Sequence, residues 1–196
     1  MAETHDDTES GAVRARLLEI VRERSFIEVP PGQELRLSSG AASRFYFDMK
    51  RTIYHPEGSG LVADLILATI AAEGLHIDAI GGLEVGAIPI AAAVALRSHE
   101  GERGVPGFHV RKAAKGHGTR RLIEGYLEPG WNALLVEDVT TTGGSVLRAI
   151  AAVREYGCTV GHVITIVDRR EGAEAALADA DVRLLALLSA DDFPRS

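Results

Sequence analysis

The feature that most constrains this chain is a short apolar run followed by two acids, a turn of hydroxyl-bearing residues and glycines, and an amphipathic helix. Residues 133–136 predict a buried strand, and residues 145–156 place their apolar side chains on one helical face before Gly157 ends the helix. Glu137 and Asp138 lie between these two elements. Glycines in the turn let several backbone N–H groups converge, and the start of the helix adds N–H groups without intrahelical acceptors. The segment therefore predicts a phosphate site beside carboxylates that accept hydrogen bonds from sugar hydroxyls.

Other interpretations of this turn are weaker. A capped helix after a strand, with threonines as ordinary turn residues, leaves the acid pair unexplained. A Walker phosphate loop is excluded because no Gly-Lys-Ser or Gly-Lys-Thr follows, and the segment has no Rossmann fingerprint. Glu137 and Asp138 repel phosphate, so we expect them to bind sugar hydroxyls, or to hold a metal ion directly or through water.

A second segment, residues 111–125, is strongly basic in a chain of net charge −7. Its only apolar residues before Leu122 are two alanines, so it has no face to bury, and Gly116 and Gly118 favour mobility. These properties favour a lid that closes over an anionic group and neutralises charge as that group leaves. On its own, the segment fits equally well a solvated basic loop or a weak nucleic-acid patch.

These segments resemble a known family. Residues 136–145, Val-Glu-Asp-Val-Thr-Thr-Thr-Gly-Gly-Ser, resemble the phosphoribosyl pyrophosphate (PRPP) signature of type I phosphoribosyltransferases. Residues 111–118, Arg-Lys-Ala-Ala-Lys-Gly-His-Gly, resemble the catalytic loop of the orotate phosphoribosyltransferases within that family. Asp168-Arg169, at the end of an apolar run, resembles the position whose arginine holds the orotate carboxylate.

Two further stretches fit the same family. Residues 37–48 resemble the N-terminal segment that borders the orotate site, and residues 80–89 resemble the strand and loop that meet pyrophosphate. The matches run in order from about Leu35 to Arg170, which is most of the chain.

The resemblance implies an enzyme that joins orotate to PRPP, giving orotidine 5′-phosphate and pyrophosphate in pyrimidine (UMP) synthesis. It implies an α/β fold with a mostly parallel central sheet flanked by helices and a small N-terminal hood. The residues expected to bind PRPP are Arg111, Lys112, Lys115, His117, Glu137, Asp138, Val139, Thr140, Thr141, Thr142, Gly143, Gly144 and Ser145. The expected catalytic residues are Lys115, as principal cation, and His117. The residues expected to bind orotate are Thr141, Arg169, Tyr46 and Phe47.

Mg²⁺ is the cofactor that the resemblance implies. We expect no direct protein ligand, because pyrophosphate and ribose oxygens would hold the ion, with Glu137 and Asp138 reaching it through water. The implied partners are PRPP, orotate and a second copy of the chain that shares the lid across a dimer interface. Neither nucleic acid nor membrane is expected as a partner.

The residues expected to bind orotate can also be argued from their chemistry and their position in the sequence. Arg169 follows the apolar residues 163–167, and a guanidinium there can grip a carboxylate with two parallel hydrogen bonds. The alternative is a surface ion pair with Asp168 or Glu171. Tyr46 and Phe47 either flank a flat pyrimidine or belong to the core, as aromatic residues in an alternating strand often do.

The chain departs from many bacterial members of the family at two positions. It has Ser38 and Val85 where those members have lysines that are thought to touch substrate or pyrophosphate. The reaction class is unaffected, but the neutralisation of charge on that side is left open. We expect Arg120 and Arg121, where some members have glycines, to supply part of it.

Composition limits the remaining possibilities. No apolar run approaches the ~20 residues needed to span a bilayer, and the acidic N-terminus is neither a signal peptide nor a transit peptide. The single cysteine, Cys158, rules out an internal disulfide and suits a reducing cytoplasm. We expect residues 1–11 to form a disordered tail and residues 12–196 to form one domain, whose hood combines residues 25–50 with part of the C-terminus.

The coarse order of elements is helix, short strands, helix, and then repeating strand–helix units. Helices are predicted at 13–23, 57–73, 88–97, 145–156 and 172–180, and strands at 34–37, 45–48, 79–81, 107–110, 133–136, 163–167 and 182–188. Alternating units of this kind predict a mostly parallel sheet with helices on both faces and ligand at the carboxyl ends of the strands.

Two competing functions are weighed against this assignment. A phosphoribosyltransferase for a purine or for uracil would share the PRPP site, but a carboxylate-gripping Arg169 argues against it. A PRPP-sensing regulator that binds nucleic acid would need an added DNA-binding domain. The segment before Leu35 is too short for one, and the net charge is wrong for a polyanion.

Overall fold

The computed structural model of the protein describes residues 3–30, 32–36, 42–101, 104–113 and 122–194. The helices are α1 (Glu3–Arg24), α2 (Lys50–Ile53), α3 (Pro56–Ala72), α4 (Ala87–Ser98), α5 (Gly144–Glu155) and α6 (Ala173–Ala178), with a 3-10 turn at Ala190–Asp192. The strands are β1 (Phe26–Glu28), β2 (Leu35–Arg36), β3 (Ala42–Ser43), β4 (Phe45–Phe47), β5 (Ala79–Gly81), β6 (Phe108–Val110), β7 (Ile123–Gly125), β8 (Asn132–Thr140), β9 (Thr159–Asp168) and β10 (Arg183–Ser189). None of the helices in these ranges has the length and apolar character needed to traverse a bilayer.

The centre of the molecule is a parallel four-stranded sheet in the order β10–β9–β8–β5. Bridges from Ile80 to Gly107 and from Leu83 to Val110 add β6 beside β5 in the same direction. β6 in turn pairs with β7 in an antiparallel hairpin. Long apolar strands such as β8 and β9 are what a sheet buried on both faces requires. The predicted α/β fold with a mostly parallel sheet is confirmed.

Alternate side chains along the central strands pack into two separate cores, one on each face of the sheet. Leu134 and Val136 of β8 face a core formed with α1, α3 and α4, whereas Leu135 faces a core formed with α5 and α6. Val146 and Val153 of α5 pack in this second core. The period of two in a strand thus places helices on both faces of the sheet.

The N-terminal strands form a small layer above one end of the sheet. β1 pairs with β4, and β2 pairs with β3, both antiparallel. Four phenylalanines, Phe26, Phe45, Phe47 and Phe193, pack with ring centroids 4.9–6.1 Å apart. Phe193 brings the C-terminus to this layer. The division of the chain into tail, hood and domain stays a prediction.

Several boundaries differ from those predicted. The first helix begins at Glu3, so the predicted start at residue 13 was wrong; acidic residues such as those in this stretch are favoured in the first turns of a helix. Strand β8 continues through the acid pair to Thr140 because it pairs with β9 as far as Asp168. The short elements β1, β3, β7 and α2 were not predicted, since so few residues show no period.

Candidate active site

A glycine-containing turn lies where β8 passes into α5. β8 ends at Thr140, and Gly143 then takes up the left-handed conformation (φ 82°) as the residue before the helix. A side chain here would be strained, and its Cβ would lie 3.4 Å from the Cα of Ala173. The N–H groups at the start of α5 have no intrahelical acceptors. A cavity of about 420 Å³ opens in front of them, lined by Lys112, Glu137, Val139, Thr141, Thr142, Gly143, Gly144, Ser145, Val146 and Arg148.

The acid pair lies in strand β8, just before this turn. Glu137 is only 8% exposed, and its Oε2 atom is buried without a hydrogen-bond partner among the described residues. Burial raises the pKa of the Glu137 carboxyl well above its usual range; the charge of Asp138 acts in the same direction, and Lys112 opposes both. Asp138 accepts a hydrogen bond from the Val139 N–H at 2.9 Å. A Cβ on Gly86 would lie 2.8 Å from the Asp138 carboxylate, so a larger residue there would push this side chain aside.

A second cavity adjoins the first and completes one cleft. It has a volume of about 400 Å³ and is lined by Tyr46, Phe47, Lys50, Ile53, Tyr54, Leu83, Glu84, Val85, Gly86, Lys112, Glu137, Asp138, Val139, Thr141, Ser145 and Arg169. The two cavities share Lys112, Glu137, Val139, Thr141 and Ser145. We call the region around residues 141–145 the phosphate end of the cleft and the region around Arg169 the base end.

Arg169 at the base end is a buried guanidinium held by tertiary contacts. It follows β9 directly, and its side chain is 3% exposed. Its Nη2 donates to Ser43 Oγ at 3.0 Å, and its Nε donates to Glu171 Oε1 at 2.9 Å. The Cζ atom lies 4.3 Å from the centroid of the Phe45 ring. The ion pair with Glu171 that the sequence left open does form, but at the wall of a cavity.

Asp168, in contrast, serves the structure. It is buried, accepts a hydrogen bond from the hydroxyl of Thr140 at 3.2 Å, and accepts another from the N–H of Arg170 at 3.0 Å. The N–H of Arg169 also donates to the carbonyl of Thr140. These bonds fix the ends of β8 and β9 relative to each other, and with them the two ends of the cleft.

Of the basic segment, the structure describes residues 111–113 and 122–125, and these face the cleft only in part. Lys112 lines both cavities, and its N–H donates to Glu84 Oε1 at 2.9 Å. Arg111 pairs instead with Glu124, Nη1 to Oε1 at 3.3 Å, and lines neither cavity. Lys115 and His117, the predicted catalytic residues, lie outside the described residues, as do Arg120, Arg121 and Ser38.

Most of the other predicted site residues meet in the cleft. Thr141, Thr142, Gly143, Gly144 and Ser145 line its phosphate end, and Val139 lines both cavities. Thr140 does not line either cavity, because its hydroxyl donates to Asp168. Tyr46 projects outward into the base end, whereas Phe47 is 3% exposed and packs against Phe26 and Phe193 while its edge lines the cavity. Their roles toward PRPP and orotate stay predictions.

Sequence reasoning missed several residues of the cleft. Lys50 and Ile53 reach it from α2, Tyr54 reaches it from the position after α2, and Arg148 reaches it from the first turns of α5. Arg148 lies one helical turn after Ser145, and its Nη2 is 3.4 Å from Ser145 Oγ, so its spacing was the available signal. Nothing in the sequence around Lys50 marked it as part of a site.

Comparison with known proteins agrees with this geometry. The phosphoribosyl transferase domain family matches residues 51–186. An orotate phosphoribosyltransferase of Rhodopseudomonas palustris (strain BisB5) is 44% identical over 187 residues, which cover 93% of this chain and 96% of the relative. Another, of Bradyrhizobium sp. (strain ORS 278), is 46% identical over 93% of this chain and 97% of the relative.

A solved structure shows the same fold. The Mycobacterium tuberculosis orotate phosphoribosyltransferase in complex with PRPP is 36% identical with a TM-score of 0.75, covering 92% of this chain and 98% of its own. The chain therefore belongs to the phosphoribosyltransferase family, in its orotate phosphoribosyltransferase branch. The resemblance inferred from the sequence is confirmed.

Proposed function

We propose that this chain transfers the 5-phosphoribosyl group of PRPP to orotate, forming orotidine 5′-phosphate and pyrophosphate in the synthesis of UMP. The observation that carries the proposal is a buried guanidinium, Arg169, in the same cleft as a helix-start phosphate turn and an acid pair. An arginine binds a carboxylate through two parallel hydrogen bonds, and orotate is the pyrimidine that carries one. A purine or uracil has no carboxylate for this guanidinium to bind. The relatives named orotate phosphoribosyltransferase support the same choice.

The residues divide the work along the cleft. Main-chain N–H groups and hydroxyls of residues 141–145 hold the 5′-phosphate, and Glu137 and Asp138 accept hydrogen bonds from the ribose hydroxyls. Arg169 orients orotate so that its ring nitrogen faces the anomeric carbon. Positive charge develops on the sugar ring in the transition state as the pyrophosphate leaves, so no protein nucleophile is needed. We assign Arg111, Lys112, Lys115 and His117 to the leaving pyrophosphate, with Lys115 as the principal catalytic cation.

We infer that Mg²⁺ accompanies PRPP. The described residues contain no cluster of three or more His, Cys, Asp or Glu side chains able to hold a metal. Glu137 Oε2 is nevertheless buried without a described partner at a point where both cavities meet, so an acceptor is available to water around an ion. Glu137 and Asp138 would hold the ion through such waters, together with oxygens of the substrate. When bound, Mg²⁺ lowers the negative charge of the leaving group.

We also propose that the protein is a cytoplasmic homodimer that shares its basic lid across the interface. Support comes from the resemblance of residues 111–118 to the loop of dimeric family members, and from the single cysteine in the chain. Sedimentation at increasing protein concentration tests the dimer. Mixing a Lys115→Ala subunit with an inactive Arg169→Gln subunit then tests the sharing, because hybrids regain activity only if the lid acts in the partner's cleft.

The decisive experiment is the loss of orotate absorbance when PRPP and Mg²⁺ are added to the protein. Uracil, adenine, guanine and hypoxanthine under the same conditions form the control panel. Consumption of orotate alone supports the proposal, and turnover of another base without turnover of orotate contradicts it. Retention on DNA at moderate salt without any turnover would favour the regulator instead.

A further inference from the structure

Lysine is rare in this chain and is placed selectively. Of its 21 basic residues other than histidine, only Lys50, Lys112 and Lys115 are lysines, and the remaining 18 are arginines. Arginines form the ion pairs that support the described fold, such as Arg97 with Asp64 and Arg183 with Glu73. Lys112 lines the cleft, and Lys115 belongs to the same basic segment of the sequence, residues 111–125. Lys50 is far from that segment in sequence, and yet it lines the same cleft.

The position of Lys50 leaves its ammonium group available to a ligand. Lys50 is the first residue of α2, and its side chain is 60% exposed. Its Nζ lies 3.7 Å from Asp48 Oδ1, which is an ion-pair distance but too long for a hydrogen bond. Arg169 on the same cavity wall is instead fixed by Ser43 and Glu171. Lys50 is thus the more loosely held of these two cations.

The anionic groups of the substrates can be assigned by elimination along the cleft. The 5′-phosphate of PRPP belongs at residues 141–145, in the cavity that Lys50 does not line. The carboxylate of orotate belongs at Arg169. The diphosphate of PRPP remains, and Glu84 and Asp138 add negative charge to the cavity that must receive it. A compact ammonium suits the oxygens of a diphosphate, whereas a planar guanidinium suits a carboxylate.

We propose that Lys50 contacts the diphosphate of PRPP and neutralises part of its charge, as a catalytic residue additional to those assigned in the basic segment. The inference rests on the proposed function for the identity of the sugar donor. It adds a cation from α2, on the wall of the cleft that also carries Tyr46 and Tyr54. The rarity of lysine, its place in the cleft and its weak tether to Asp48 together support the assignment.

The test compares Lys50→Met with Arg51→Met. Arg51 is the next residue of the same helix, is exposed and lines neither cavity, so its variant removes the same charge one residue away. Calorimetry measures the binding of inorganic pyrophosphate and of inorganic phosphate with Mg²⁺ present, and steady-state assays measure the KM for PRPP and for orotate. Lys50→Met should weaken pyrophosphate binding and raise the KM for PRPP roughly 10-fold or more, the effect of one charge-assisted hydrogen bond. Phosphate binding and the KM for orotate should not change, and Arg51→Met should behave as wild type.

Two results overturn the inference. The first is a Lys50→Met protein that matches Arg51→Met in every measurement, and the second is a defect confined to the KM for orotate while pyrophosphate binding is unchanged. Lys50→Arg, which keeps the charge, should recover part of the lost pyrophosphate affinity. The proposed function can fail while this inference holds. In that case the wild-type protein binds pyrophosphate through Lys50 but does not consume orotate, so the two failures can be told apart.

Discussion

The two ends of the cleft differ in the groups that they offer to an anion. The phosphate end presents main-chain N–H groups of residues 141–145, shaped by the left-handed Gly143. The base end presents one buried guanidinium, Arg169, positioned by Glu171 and by Ser43, which is 126 residues away in sequence. The phosphate end therefore depends on local backbone shape, and the base end depends on tertiary packing of side chains. Substitutions should separate these two dependences.

Replacing Arg169 with glutamine should have the largest effect. That effect should be confined to the kinetics of orotate. The carboxylate of orotate would enter the cavity without its cation, so kcat/KM for orotate should fall about 1000-fold. The KM for PRPP should not change, because the phosphate turn is untouched. Steady-state kinetics with each substrate varied in turn measure both quantities.

Arg169→Lys is the matched control, since it keeps the charge but loses the planar pair of donors. Its activity should fall between those of wild type and Arg169→Gln. If Arg169→Gln raised the KM for PRPP as much as that for orotate, the two ends of the cleft would not be independent.

Gly143→Ala should weaken PRPP binding at the phosphate end. A second glycine with a similar φ provides the control. Gly143 and Gly130 both have positive φ, 82° and 88°, but Gly130 lies in an exposed turn outside both cavities. Alanine in this conformation costs about 1 kcal/mol at either site, a fall in Tm of about 2–4 °C. Only Gly143→Ala should also displace the N–H groups and raise the KM for PRPP about tenfold.

Melting curves and PRPP kinetics of both variants test this expectation. Equal stability losses with a KM defect only at Gly143 would support a role for backbone shape in phosphate binding. A normal KM for PRPP in a folded Gly143→Ala protein would mean that this turn does not hold the substrate.

Glu137 lies between the two ends, and its titration should be visible in the stability of the ligand-free protein. Because burial raises its pKa in the native state, the native protein binds more protons than the unfolded chain between the two pKa values. The free energy of unfolding therefore falls as the pH rises from the pKa of Glu137 in the unfolded chain through its raised pKa in the native protein. Glu137 contributes its full stabilisation only below its pKa in the unfolded chain. Glu137→Gln removes this titration. It should be more stable than wild type in mildly alkaline buffer and equal to it in acid.

Urea unfolding across the pH range measures this difference. The exposed acid Glu155 on α5 provides a control, and Glu155→Gln should follow the pH dependence of the wild type. Stability curves of Glu137→Gln and wild type that stay parallel at every pH would contradict a buried, proton-binding Glu137.

The contrast between the ends also explains what the sequence could predict. The phosphate end lies within residues 133–156, where strand, turn and helix follow one another, so pattern alone located it. Arg169 was predicted from its place after an apolar strand, but the hydrogen bond that it donates to Ser43 is a long-range contact that no local pattern shows. The acid pair was expected just past the end of a strand at residues 133–136, but pairing with β9 extends β8 through both acids to Thr140. Lys50 was missed because a four-residue helix has no period to detect.

Ser43→Ala should have the smallest effect. Because Ser43 is remote from the phosphate turn, the substitution should change the KM for orotate and leave the KM for PRPP unchanged. The hydroxyl accepts one hydrogen bond from Arg169, whose other contact with Glu171 would remain. Losing one such bond costs about 1 kcal/mol, so the KM for orotate should rise about fivefold while the KM for PRPP stays constant. A double-mutant cycle decides how the effect arises: in the Arg169→Gln background, Ser43→Ala should change nothing further. If the two effects add instead, Ser43 acts on the substrate without Arg169, and the base end is less dependent on a positioned guanidinium than its contacts indicate.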